Sequence, residues 1–161
     1  MIVTRMASNP RRWSRKGFAG GVGAIVAAVL ATGPAPTARA QAPLADWLSR
    51  AAVHVQDIHK AENAAFAVIA APGSIDGDKL RADCTQLHDA NEALRGVMPA
   101  PDPKLTVEVQ QAIDNFDNAL QSCSAAFDTG NLSKDFVYYL ETAEQHFASA
   151  DTILVALAPA G

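Results

Sequence analysis

The two cysteines, Cys84 and Cys123, constrain the fold of this 161-residue chain more than any other feature. They lie on either side of a Pro-rich turn at 99–103, each within a segment whose apolar residues recur with helical spacing. A bond between them would join two neighbouring helices and close a loop of about forty residues. By the loop-entropy relation, this would stabilise the folded state by roughly 4 kcal/mol. We predict this disulfide, and the alternative is a pair of buried free thiols.

Residues 1–40 have the pattern of an export signal. They contain six Arg and Lys residues and no acid, and an apolar run at 18–32 follows the basic stretch. A Gly- and Pro-rich segment comes next, and the small-x-small sequence at 38–40 predicts cleavage after Ala40. The alternative is a retained membrane anchor, but the run is shorter than the ~20 residues that a bilayer span needs. We therefore expect no stable membrane insertion after cleavage.

Two export routes fit this signal. Arg11 and Arg12 resemble a twin-arginine motif, although Ser14 stands where a large apolar residue is usual, so general secretion stays open as well. No cysteine comes directly after the apolar run, which argues against a bacterial lipid anchor. Either route predicts a secreted or cell-envelope protein, and outside the cytoplasm an isolated cysteine pair usually forms a disulfide.

The charge of the mature chain excludes some classes of partner. Only seven of the thirteen Lys and Arg residues follow residue 40, whereas all seventeen Asp and Glu residues do, so residues 41–161 carry a net charge of −10. Nucleic acids and anionic lipid surfaces attract clustered Lys and Arg, which this segment lacks. We expect neither as a partner.

The mature segment, 41–161, is predicted to be one all-α domain. Apolar residues recur at three- and four-residue steps, and no useful length of chain alternates with the period of a strand. Pro, Gly, Asp and Ser residues separate four such segments. The predicted helices span about 44–70, 78–98, 103–128 and 132–157. Four helices of similar length joined by short loops predict an antiparallel, up-down-up-down four-helix bundle.

Histidines are the candidates for a metal or haem site. Bundles that bind such groups direct His, Met or carboxylate side chains inward from facing helices. The candidate ligands are His59, His88, His146 and Glu62. The order at 59–62 is His-x-x-Glu, the reverse of the di-iron Glu-x-x-His motif, and it occurs once. The competing interpretation is that these histidines are solvated or half-buried, and we predict no bound cofactor.

Polar and aromatic residues within the apolar stripes have two interpretations each. Glu62 and Asn91 interrupt the stripes of the first and second helices. A buried carboxylate can be a ligand or can handle protons, because burial raises its pKa, but polar insertions more often fix the helix register or pair with each other. Fixing the helix register is the preferred interpretation for both residues.

Five aromatic residues have two possible roles, either lining a small apolar pocket or simply filling the core. They are Trp47, Phe66, Phe136, Tyr138 and Tyr139.

Catalytic motifs are not evident. The serines lack a G-x-S-x-G setting, and the acid pairs Asp76/Asp78 and Asp114/Asp117 have the spacing of loop and surface carboxylates. We therefore predict a protein that is not an enzyme.

The layout resembles small exported helical proteins of actinobacteria, particularly mycobacteria. The shared features are the Arg-rich signal, the Ala-rich mature chain and the two cysteines on either side of Pro101-Asp102-Pro103. The resemblance implies a helical fold and a location outside the cytoplasm, and it implies no mechanism. The predicted function is non-enzymatic binding of a protein partner or a small apolar ligand. The alternative is a haem or metal carrier that uses His59, His88 or His146.

Overall fold

The described part of the chain is all-helical. The computed structural model describes residues 38–71, 75–129 and 132–158, which contain four α-helices and no strand. These helices are α1 (Ala38–Ala70), α2 (Gly77–Arg95), α3 (Pro103–Thr129) and α4 (Lys134–Leu157). The all-α prediction is confirmed. The predicted export signal lies outside the described residues except for positions 38–40.

Side chains cap the starts of three helices. Asp76, Asp102 and Ser133 each accept a hydrogen bond from a backbone N–H of the first turn of α2, α3 and α4, at distances between 2.8 and 3.1 Å. The first N–H groups of a helix have no partner within the helix, so a short polar side chain just before it stabilises the start.

Two helix bounds differ from the predicted ones by more than two residues. The first helix begins at Ala38 instead of 44, because residues 38–42 are mostly strong helix formers and Pro43, near the start, removes only one hydrogen bond. The second helix ends at Arg95 instead of 98. Gly96 is a poor helix former, and the residue before Pro99 avoids helical dihedral angles, so the chain leaves the helix there.

The core is a single cluster to which all four helices contribute. Successive helices pack against each other, α1 on α2, α2 on α3 and α3 on α4, as in a helical bundle. The largest fully buried apolar side chains are Phe116, Phe136, Ile58, Leu87, Leu94, Leu105, Ile113 and Leu140. No helix within the described ranges is long and apolar enough to cross a bilayer.

A disulfide joins Cys84 of α2 to Cys123 of α3, as predicted. The two Cα atoms are 6.7 Å apart, and both side chains are buried. Cys84 lies 11 residues before the end of its helix and Cys123 lies 20 residues after the start of the next. Because Cys123 is farther from the connection than Cys84 is, α3 must extend past the end of α2 for the two cysteines to lie level. The seven-residue connection 96–102 allows this.

Candidate functional site

An apolar groove lies between α1 and α4. It has a volume of about 70 Å³. Its floor is formed by Leu94, Leu105 and Val109, which are buried side chains of α2 and α3. Its walls come from α1 and α4, namely Trp47, Leu48, Ala51, Ala52, Val55, Phe147, Ala150, Asp151 and Leu154. The groove exists because α1 packs mainly on α2 and α4 mainly on α3, so small side chains face each other across the remaining gap.

Trp47 forms one end of this groove. Its indole Nε1 donates a 2.9 Å hydrogen bond to the carbonyl of Val97, in the connection between α2 and α3. The side chain is only 4% exposed, so an unpaired N–H there would be costly. The hydrogen bond therefore fixes the ring and holds α1 against the α2–α3 connection.

Among the described residues that line the groove, Asp151 is the only charged one. The side chain is half-buried, and burial raises its pKa. The nearby charge of His59 lowers this pKa, and the charge of Glu144 raises it. Asp151 therefore marks the place where the apolar groove meets a cluster of ionisable groups.

His59 and Glu144 are the centre of that cluster. His59 Nε2 of α1 lies 3.2 Å from Glu144 Oε1 of α4, within ion-pair distance but without the alignment of a good hydrogen bond. The imidazole also meets the ring of Phe147 edge-on, with the ring centroids 5.8 Å apart. Interaction with Glu144 raises the pKa of His59, and burial opposes the shift. The contact thus favours a positive His59 beside a negative Glu144.

Glu62 lies one helical turn from His59 and is 7% exposed. Burial raises its pKa to about 9, and the negative charge of Glu144 and a hydrogen bond to that carboxylate act in the same direction. Two carboxylates in one apolar interface cannot both ionise cheaply, so Glu62 keeps its proton. The neutral acid then donates a hydrogen bond to Glu144.

The other predicted ligands do not join this cluster. His88 is exposed on α2. His146 lies with its Nδ1 2.8 Å from Glu108 Oε2, at the contact between α3 and α4. Among the residues that the structure describes, no group of three or more His, Cys, Asp or Glu side chains is arranged to hold a metal ion.

Asn91 has a different role from Glu62, and the two do not pair with each other. Asn91 is fully buried, and its Nδ2 donates to the carbonyl of Ile113 at 3.1 Å and to Asp117 Oδ1 at 2.8 Å. Asp117 also accepts a hydrogen bond from Arg95. These contacts join α2 to α3 and are consistent with a register-fixing role.

The five predicted aromatic residues lie in three places, which are the groove, the core with its edge, and the surface. Trp47 lines the groove, whereas Phe136 is fully buried in the core. Phe66 and Tyr139 pack beside the core, and Tyr138 is 61% exposed. Of the five predicted aromatic residues, Trp47 is therefore the one in the described groove lining, and Phe147 of α4 forms a second aromatic wall.

Two residues of the site were not predicted, Glu144 and Asp151. Each follows directly after a buried alanine of the α4 stripe, and the two are seven residues apart, so they share one side of the helix with Phe147. That spacing is a usable signal, because residues three and four apart lie together on a helix surface. It does not reveal that α1 places His59 and Glu62 opposite them.

No protein-family model, curated protein or solved structure matches this chain. The fold and the site therefore define a general class, a disulfide-linked helical bundle with an apolar groove between two of its helices.

Proposed function

We propose that this protein is an exported, non-enzymatic binding protein that holds a small apolar molecule in the groove between α1 and α4. The observation that carries the proposal is the groove itself, whose buried floor and apolar walls are interrupted by one charged residue, Asp151. Binding pockets for small molecules are typically concave, apolar and supplied with few polar groups. The groove has this composition.

The volume sets the size of the ligand. A cavity of about 150 Å³ lined by aliphatic and aromatic side chains is known in another protein to hold benzene. The groove here has about half that volume, about 70 Å³. It suits a short alkyl chain or one edge of a ring, with the rest of the ligand at the open side. A folded protein domain would instead need a far larger contact, about 800 Å² on each partner.

The groove lining favours binding over catalysis. Its residues are aliphatic and aromatic apart from Asp151, and they offer no hydroxyl, thiol or imidazole nucleophile. The nearest histidine, His59, is engaged with Glu144. A ligand would be held by burial of its apolar surface, at about 25 cal/mol for each Å² removed from water.

The helices of this binding protein are proposed to run up-down-up-down. Contacts between α2 and α3 support this arrangement, because Arg81 lies over the ring of Phe127 at 4.3 Å and Asn91 meets Asp117, so numbers rise along one helix as they fall along the other. Short connections between successive, closely packed helices agree with it. Export is supported by the signal pattern in residues 1–40.

The test is a titration of the full chain with 1-hexanol, followed by NMR through the indole N–H signal of Trp47. The chain has two tryptophans, and a Trp13→Phe variant assigns the signal. Ala52 is half-buried in the groove wall, so Ala52→Phe fills the groove. Ala67 is exposed on the same helix and outside the lining, so Ala67→Phe is the matched control.

We expect 1-hexanol to shift the Trp47 signal saturably in the wild type and in Ala67→Phe, and about tenfold more weakly in Ala52→Phe, since 1.4 kcal/mol of lost contact is a factor of ten. A wild-type signal that stays unchanged, or equal affinities in both variants, would overturn the proposed function.

A further inference from the structure

Asp151 is an isolated carboxylate at the edge of an apolar surface. Within the described residues, no hydrogen bond or ion pair engages it. It lines the groove together with Phe147 and Leu154, which lie about one helical turn before and after it on α4. A half-buried carboxylate that accepts no hydrogen bond loses part of its hydration. The position is therefore favourable for a cation that reaches it from the groove.

The groups that face Asp151 from the other helices are compatible with cation binding there. From α1, His59 is a nearby cation, but Glu144 of α4 lies 3.2 Å from it and offsets its charge. From α2 and α3, the groove floor presents Leu94, Leu105 and Val109, which carry no charge. Asp151 therefore supplies the charge in the groove lining, in a chain segment that is itself acidic.

We infer that the ligand of the groove is a small apolar molecule that carries a protonated amine, with its apolar part against Trp47 and Phe147 and its ammonium group on Asp151. The inference rests on the proposed function, because it names the chemical class of the molecule that the same groove binds. Charge complementarity selects an amine over an alcohol or a carboxylate of equal chain length. A carboxylate would be repelled by Asp151.

The experiment compares three ligands of equal length, which are 1-hexylammonium chloride, 1-hexanol and sodium hexanoate. Each is titrated into the full chain at neutral pH, with sodium chloride holding the ionic strength constant, and the Trp47 indole N–H signal reports binding. We expect affinity to fall from the amine to the alcohol to the carboxylate. The amine should bind about three- to tenfold more tightly than the alcohol.

Three variants assign the preference to one side chain. Asp151→Asn should bring the amine and alcohol affinities to within about twofold of each other while leaving 1-hexanol binding unchanged. Asp151→Glu, which keeps the charge, should retain the amine preference. Asp89→Asn removes the same charge from an exposed position of α2 outside the groove, and should behave as the wild type.

The outcomes separate this inference from the proposed function. If 1-hexanol binds as well as the amine in the wild type, or if Asp89→Asn removes the preference as Asp151→Asn does, the assignment of a cationic ligand to Asp151 is wrong and the groove remains a binding site. If none of the three ligands shifts the Trp47 signal, the proposed function itself fails.

Discussion

His59 Nε2 lies 3.2 Å from Glu144 Oε1, and this contact links α1 to α4 beside the groove. The two helices have little close backbone contact, since each packs mainly on a different neighbour. Contacts between side chains therefore determine how α1 and α4 are placed relative to each other. Glu62, protonated beside the same Glu144, completes the contact from α1. The charge state of this cluster should consequently affect the stability of the whole bundle.

The first prediction is that stability falls as the pH rises from about 5 to about 9. An unfolded Glu62 loses its proton near its ordinary pKa of 4.5, whereas the folded protein keeps it up to about 9. Between these values folding takes up a proton, so the free energy of unfolding decreases by up to about 1.4 kcal/mol per pH unit. His59 acts in the same direction, because its raised pKa gives stability that is present below pH 6.5 and is lost as the pH rises through the folded value.

Glu62→Gln should flatten this dependence, because glutamine resembles the protonated acid and its amide can donate to Glu144. At pH 8 the variant should be more stable than the wild type by on the order of 2 kcal/mol. Urea unfolding at several pH values measures both effects. Glu141→Gln, on the exposed face of α4, is the matched control and should keep the wild-type slope. A Glu62→Gln protein with the same slope as the wild type would show that Glu62 is ionised in the folded state.

The second prediction concerns Asn91, whose amide joins α2 to α3. Asn91→Ala removes two hydrogen bonds and leaves a small cavity in a fully buried position, so it should lower the free energy of unfolding by about 2 kcal/mol. Asn63→Ala is the matched control, since Asn63 is exposed and bonds only to a carbonyl of its own helix. The control should change stability by less than about 0.5 kcal/mol. Equal effects of the two substitutions would contradict the structural role of Asn91.

The third prediction concerns the disulfide between Cys84 and Cys123, which are 39 residues apart in the chain. Replacing both with alanine should destabilise the oxidised protein by about 4 kcal/mol and lower the melting temperature by roughly 10 to 20 °C. The reduced wild type should melt close to the double variant, and added reductant should not affect the variant. Coincident melting of the oxidised wild type and the double variant would show that the bond does not stabilise the fold.

Sequence periodicity was sufficient to predict the four helices, and the disulfide was predicted from an isolated cysteine pair in a chain with an export signal. Leu80, Cys84, Leu87 and Leu94 recur at helical spacing, and all four are buried in the structure. This works because burial of one helix face is a local, repeated constraint that each segment meets with its own residues. The end of α2 was predicted three residues too late, since Met98 continues the apolar spacing although the following proline ends the helix earlier.

The groove and the ionisable cluster could not be predicted in the same way. The spacing of Asp151 and Glu144 places them on one side of α4, but it does not show what lies opposite them. Their role depends on His59 and Glu62, which lie more than eighty residues away in the chain and meet them only through the packing of two helices. Periodicity identifies the buried face of one helix and does not specify which faces meet.

Export and the disulfide are linked, because disulfides form and persist in oxidising environments and are rare in the cytosol. The most direct test is an intact mass spectrum, under native conditions, of the protein recovered from its own host. We predict a chain that begins at Gln41 and is two hydrogens lighter than the reduced form, and any retained small molecule would add its mass. A chain that keeps residues 1–40, or one with both thiols free, would contradict the account.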